Sequence, residues 1–73
     1  MATLKAKSEV SGSVWKIEVA LGQKVAEGDI LVLIESMKME IPVVVETPGT
    51  VASILVAEGD AIVEGQAVVI LET

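Results

Sequence analysis

The chain has 73 residues and a formal net charge of −6, with five lysines, no arginine and one aromatic side chain. This balance offers neither a basic stripe for phosphates nor an aromatic platform for bases, so we expect no nucleic-acid partner. There is no cysteine, no apolar run of signal-peptide length near the start, and no uninterrupted apolar stretch of about 18 residues. We therefore expect a soluble cytoplasmic protein that neither enters nor crosses a membrane.

Short β-branched runs predict strands along the chain, and no window sustains the period of an amphipathic helix. In chain order the clearest runs are Leu31–Ile34, Ile41–Val45, Ile54–Val56 and Val68–Leu71. Gly-Asp, Gly-Gln and Pro-Gly turn signals lie between them. Because the runs are continuously apolar, they suit strands that are covered on both sides, as in a sandwich or flattened barrel. The predicted fold class is therefore all-β.

Small aliphatic residues supply the predicted core. Twenty-six residues are Val, Ile or Leu, and thirteen of them are Val, whereas Phe and Tyr are absent. A domain of this length removes only about 60% of its unfolded surface from water. We expect a thin core of short, branched side chains, without disulfides to support it.

The chain also contains an internal repeat with a period of 37 residues. Residues 4–35 align with residues 41–72 without a gap, and 11 of the 32 pairs are identical. All six glycines are among these pairs: Gly12 with Gly49, Gly22 with Gly59, and Gly28 with Gly65. Two copies are too few for a solenoid, which needs about three or more repeats. We expect one domain over residues 1–73 with internal pseudo-two-fold symmetry, and left-handed backbone at the matched turn glycines.

One segment, Ser36–Glu40, has no counterpart in the repeat. It lies between two predicted strands, so the simplest prediction is a tight β-hairpin with Lys38 at its tip. Such turns prefer Asn-Gly or Asp-Gly, whereas Met37 and Lys38 put side chains where positive φ is commonly required. A poorly optimised turn suggests function. By itself, a lysine at a hairpin tip is more often only a solvated end.

The residues around Lys38 resemble a known family. Glu35-Ser36-Met37-Lys38-Met39-Glu40 is similar to the Glu-Ala-Met-Lys-Met-Glu hallmark of biotinyl domains, the biotin carboxyl carrier modules of biotin-dependent carboxylases, with Ser36 for the usual Ala. The family's Gly-x-Val and Gly-Asp turns also have counterparts, at Gly12-Ser13-Val14, Gly28-Asp29-Ile30-Leu31, Gly49-Thr50-Val51 and Glu58-Gly59-Asp60. The resemblance covers nearly the whole chain, and it includes the stand-alone biotin/lipoyl attachment proteins of bacteria.

The resemblance implies a flattened barrel of two four-stranded antiparallel sheets, with the lysine on one hairpin. It implies that biotin protein ligase attaches biotin to Lys38, and that this monomeric carrier serves the biotin carboxylase and carboxyltransferase components of a carboxylase. The alternative cofactor is lipoate, added by a lipoyl-attaching enzyme, although lipoyl domains usually show Asp-Lys-Ala. Glu46 for a common Pro and Val10 for a common Met are turn-level departures. The gapless repeat has no room for the thumb loop of some acetyl-CoA carboxylase carriers, which points away from that subclass.

Two other classes of function are weaker. An unmodified β-sandwich that only binds proteins would leave Ser36–Glu40 unexplained. An enzyme is disfavoured because the chain has no His, Cys, Arg or Tyr, and because Asp29 and Asp60 lie in repeated turns. We predict no catalytic residue and no metal ligand.

The remaining notable side chains are expected at the surface. Met37 and Met39 are interpreted as exposed, soft contacts for the ligase and the carboxylase. Trp15, whose repeat partner is Ala52, is expected to fill a partly exposed surface. The lysines outside the hairpin are expected to be solvated: Lys5, Lys7, Lys16 and Lys24.

Overall fold

The computed structural model describes residues 2–73, which form eight strands and no helix, so none of them belongs to a helix that could span a bilayer. The strands are β1 (Thr3–Lys7), β2 (Gly12–Ile17), β3 (Lys24–Val25), β4 (Ile30–Ser36), β5 (Met39–Val44), β6 (Gly49–Ile54), β7 (Ala61–Ile62) and β8 (Ala67–Glu72). They build two four-stranded antiparallel sheets. The all-β prediction is confirmed.

The two sheets are related by the repeat. The terminal sheet has the order β1-β8-β6-β3, and the hairpin sheet has the order β5-β4-β2-β7. A shift of 37 residues converts β1 into β5, β2 into β6, β3 into β7 and β4 into β8, and thereby converts one sheet order into the other. Each sheet contains two strands from each half of the chain, so neither half completes a sheet by itself. The predicted pseudo-two-fold symmetry is confirmed.

The core lies between the sheets and consists mainly of valine. Ten of the fourteen buried apolar residues among residues 2–73 are Val, and Leu31, Val32, Ile34, Val68 and Val69 are completely inaccessible to solvent. Short branched side chains keep the sandwich narrow, with extents of 36 × 18 × 18 Å. No ladder joins one sheet to the other within residues 2–73, so the fold is a flattened sandwich and not a closed barrel.

The glycines of the repeat serve two different purposes. The pairs Gly22/Gly59 and Gly28/Gly65 have φ between 82° and 93°, as predicted for turn glycines. Gly12 and Gly49 do not: they begin β2 and β6, and a Cβ on Gly12 would collide with the carbonyl oxygen of Glu35. For this third pair the prediction of left-handed backbone is wrong. Glycine is needed there because two backbones approach closely.

Side-chain oxygens close the glycine turns in matching ways. The Asp29 carboxylate accepts a hydrogen bond from the Ala26 N–H, and the Asp60 carboxylate accepts one from the Ala57 N–H, each at 2.9 Å. The other two turns use amide oxygens at 3.1 Å, from Gln23 and Gln66. The two aspartates therefore stabilise repeated turns, as expected from their place in the sequence.

One predicted strand is displaced. β6 ends at Ile54, so only the first residue of the predicted Ile54–Val56 strand lies in it. The Leu55 N–H still donates to the Val68 carbonyl at 2.9 Å, and Val56 is buried. The apolar run correctly predicted burial, but burial does not determine where a ladder ends.

Candidate functional site

Met37 and Lys38 form the two-residue turn between β4 and β5, and Ser36 pairs with Met39 across the ladder. The backbone angle φ is 52° at Met37 and 65° at Lys38, and these are the only non-glycine residues with positive φ among residues 2–73. Two consecutive left-handed residues between paired strands are typical of a type I′ turn, whose twist matches that of the strands. The prediction of a tight hairpin with Lys38 at its tip is confirmed.

The tip is open to solvent. Met37 is 92% exposed and Met39 is 63% exposed, and Lys38 between them is exposed as well. The one ion pair found within residues 2–73 joins Lys16 Nζ to Glu18 Oε1 at 3.5 Å, so the Lys38 amine is not part of an ion pair there. No ion pair among the described residues occupies this amine, which is exposed to a second protein.

The base of the hairpin is fixed although its tip projects. The Ser36 hydroxyl donates to the Ser11 carbonyl oxygen at 2.8 Å, and the Ser11 hydroxyl oxygen accepts from the Glu64 N–H at 3.0 Å. These bonds join the hairpin to the β1–β2 loop and to the turn before β8. Sequence reasoning noted Ser36 only as a departure from Ala. Its partner was missed because Ser11 lies 25 residues away, and no local pattern brings the two together.

Two carboxylates flank the tip. Glu35 and Glu40 are paired directly across the ladder, one pair below Ser36 and Met39. Side chains alternate along a strand, and the next pair, which contains the buried Ile34, faces the core, so these carboxylates lie on the outer face. Like charges directly opposite one another destabilise a ladder. Because Glu35 and Glu40 both face outward, the outer side of the hairpin beside Lys38 is acidic.

The other candidate residues lie apart from the hairpin. Lys5, Lys7, Lys16 and Lys24 are exposed as predicted, and Trp15 is 49% exposed. Within residues 2–73, no group of three His, Cys, Asp or Glu side chains is placed to hold a metal ion. An open groove of about 450 Å³ separates β1 from β5, lined in part by Leu4, Ile41 and Leu71, and Lys38 does not line it. The hairpin is therefore the candidate site.

Comparison with known sequences identifies relatives. The family model Biotin_lipoyl, described as "Biotin-requiring enzyme", matches residues 5–71. The chain is similar to a biotinylated protein TB7.3 homologue of Mycobacterium leprae, with 46% identity over 43 residues, which are 59% of this chain and 61% of that protein. It is also similar to the biotin/lipoyl attachment protein of Bacillus subtilis, with 39% identity over 41 residues and 56% of each chain. The matches thus span about three-fifths of the length of these relatives.

Solved structures share the fold. The urea carboxylase of Kluyveromyces lactis matches with a TM-score of 0.93 and 33% identity, over 99% of this chain and 6% of that chain. A single-chain, multi-domain long-chain acyl-CoA carboxylase matches with a TM-score of 0.87 and 20% identity, over 93% of this chain and 7% of that chain, which shows the fold alone. With a family match over residues 5–71 and a lysine at the β4–β5 turn, the chain belongs to the biotin/lipoyl family.

Proposed function

We propose that residues 1–73 form a single carrier domain that bears biotin on Lys38 and shuttles carboxyl groups between the active sites of a biotin-dependent carboxylase. The observation that carries the proposal is the tip itself: an exposed lysine in a left-handed turn, between two exposed methionines and without an ion pair in the described residues. The family match and the biotinylated relatives support biotin as the attached group.

Lys38 supplies the nucleophile for its own modification. Its amine nitrogen attacks the carbonyl carbon of the acyl-adenylate that the ligase delivers, an amide bond forms, the bond to AMP breaks, and the amine loses a proton. Attached biotin supplies a ureido nitrogen that accepts a carboxyl group at one enzyme site and releases it at another. The flexible lysine stem gives the tip reach, while the Ser36–Ser11 hydrogen bond holds the hairpin base.

The domain acts as a tether and not as the catalyst. A tethered group is present at a high effective concentration at each site that the arm can reach. The proposed partners are biotin protein ligase and the biotin carboxylase and carboxyltransferase components, served by a cytoplasmic monomer. The matching urea carboxylase structure supports this assignment, because that protein is a carboxylase by name.

Lipoate is the second candidate for the group on Lys38. The Bacillus subtilis relative is named for both attachments, and an exposed hairpin lysine suits either. Met37 and Met39 favour biotin, because lipoyl domains usually place Asp and Ala beside the lysine.

The intact mass of the protein distinguishes biotin from lipoate on Lys38. Expressed with a biotin ligase in a biotin-replete host, the chain should gain about 226 Da, whereas lipoyl transfer would add about 188 Da, since each acid loses one water. Lys38→Arg should abolish the gain, because a guanidinium does not act as a free amine. Lys24→Arg, at an exposed lysine of β3, is the matched control and should keep the gain. An unmodified wild-type chain would contradict the carrier proposal.

A further inference from the structure

The two sheets share a backbone plan but have different outer faces. On β1, the outward side chains Lys5 and Lys7 pair with Ile70 and Ala67 of β8. The corresponding positions of the hairpin sheet carry apolar residues. The mismatched pairs, with the hairpin sheet first, are Trp15 and Ala52, Ile30 and Ala67, Pro42 and Lys5, and Val44 and Lys7. The repeat therefore preserves the fold but not the surface.

The ladder register brings the apolar side chains together. Leu33 pairs with Pro42, and Ile30 pairs with Val44, on the side of the sheet that faces away from the core. Ile30 is 39% exposed and Val44 is 44% exposed. With Trp15, these four residues define the apolar face: Trp15, Ile30, Leu33, Pro42 and Val44.

Trp15 joins the apolar face through a β-bulge. The register of β2 against β4 shifts between Val14 and Lys16, so Trp15 is the extra residue and lies beside Lys16, opposite Leu33. Val14 is buried, whereas Trp15 is half-exposed. The terminal sheet has the same bulge, between Val51 and Ser53, and places only Ala52 there. The bulge aims a large aromatic ring outward on one sheet only.

We propose that the apolar face is the docking surface for the enzyme that acylates Lys38. This inference rests on the proposed function. The tip, Ser36–Met39, is too small to be recognised alone, because a standard interface uses about 20 to 30 residues on each side. The inner side of the hairpin base is bonded to the β1–β2 loop through Ser36 and Ser11. The enzyme's contact therefore extends over the outer side, past Glu35 and Glu40, onto the apolar face.

A second copy of this chain would be a poor occupant. Glu35 and Glu40 flank the apolar face, and a second copy would bring the same two carboxylates to the contact. Like charges across an interface are unfavourable. A carrier also needs a transient contact, because each enzyme must release it.

Charge restricts the chemistry of the partner. Glu35 and Glu40 border the apolar face at the tip end, and the Lys16–Glu18 ion pair borders it at the end of β2, so the rim carries net negative charge. The complementary surface has an apolar centre with Lys or Arg groups facing the two glutamates. Lys5 and Lys7 on the terminal sheet would repel such a surface, which directs docking to the side that bears Lys38.

Exchanging residues between the two sheets tests the proposal. Trp15→Ala and Val44→Lys give the hairpin sheet the residues of the terminal sheet, and Ala52→Trp and Lys7→Val are the reciprocal controls. Each new residue already occupies the equivalent position in the other sheet, so the fold should be retained, and the thermal midpoint checks this. Initial rates of biotinylation are measured for each full chain with biotin protein ligase, ATP and biotin.

Trp15→Ala and Val44→Lys should each raise the KM of the ligase for the chain about tenfold, and kcat should stay within about twofold, because docking precedes the chemical step. The two controls should leave KM within about twofold of wild type. If Val44→Lys lowers the thermal midpoint to the assay temperature, Pro42→Lys, whose counterpart is Lys5, replaces it.

Equal KM values in all variants, or a fall in kcat alone, would overturn the docking proposal. A complete mass gain of wild type in the same assay would leave the proposed function intact. Absence of that gain would count against the proposed function instead.

Discussion

The glycine turns and the β4–β5 hairpin meet the same backbone requirement in different ways. Gly22, Gly28, Gly59 and Gly65 adopt φ values between 82° and 93°, whereas the hairpin uses Met37 at 52° and Lys38 at 65°. Glycine enters this region freely, but other residues are disfavoured there by about 1–2 kcal/mol each. The hairpin keeps its side chains despite that cost. Four turns therefore use glycine, which stabilises left-handed backbone, whereas the fifth retains Met37 and Lys38, whose side chains it exposes to other proteins.

The largest loss of stability should come from the pair Gly12 and Gly49, which lie at the starts of strands and not in turns. Gly12→Ala should destabilise the fold by about 3 kcal/mol, because the new Cβ meets the Glu35 carbonyl, which cannot move without disturbing the hairpin base. Thermal unfolding measures the loss. Gly22→Ala is the matched control, since nothing lies within 4 Å of its Cβ. A larger loss at Gly22 than at Gly12 would contradict the close-approach explanation.

The glycine turns should respond to strain alone. Gly28→Val and Gly65→Val should each destabilise by about 2 kcal/mol, because the new side chains have open space but an unfavourable φ. At this chain length, about 1 kcal/mol shifts the thermal midpoint by roughly 4–8 °C. Gly65→Asn should lose less, since Asn tolerates left-handed backbone. Neutral Val variants would show that these turns do not require glycine.

The hairpin should respond in the opposite direction. Lys38→Gly should stabilise the fold by about 0.5–1 kcal/mol, because relief of the left-handed strain exceeds the extra entropy of the unfolded chain. Lys38→Ala keeps the same strain and should change stability by less than about 0.5 kcal/mol. Both variants should lose acylation by intact mass. A large drop in the thermal midpoint of Lys38→Ala would mean that the lysine is structural.

The hairpin, the glycine turns and the buried strands could be predicted from the sequence, because they depend on local chemistry. The hairpin and its lysine were predictable, since Ser36–Glu40 is the segment that the repeat leaves without a partner. Glycine at 28 and 65 predicted left-handed turns, because no other residue adopts that backbone as easily. Valine-rich runs predicted buried strands, and Val32 and Val69 are inaccessible to solvent.

Other features depend on residues that are distant in the chain. The Ser36–Ser11 hydrogen bond and the contact between Gly12 and Glu35 arise only after β2 and β4 are paired. The end of β6 at Ile54 depends on its ladder with β8, and not on the apolar character of Leu55. Local patterns carry no information about such long-range register.

The sequence by itself determined the all-β class, the two equal halves and the turn glycines. It also determined the position of Lys38, in the segment that has no counterpart in the repeat. These follow from side-chain size, β-branching and backbone freedom, which act within a few residues. Only the tertiary structure decided that strands of the two halves are exchanged between sheets, and that Trp15 gathers with Pro42 and Val44 on one outer face. The physical reason is that a symmetric core constrains only inward side chains, and pairing between distant strands determines which outward ones become neighbours.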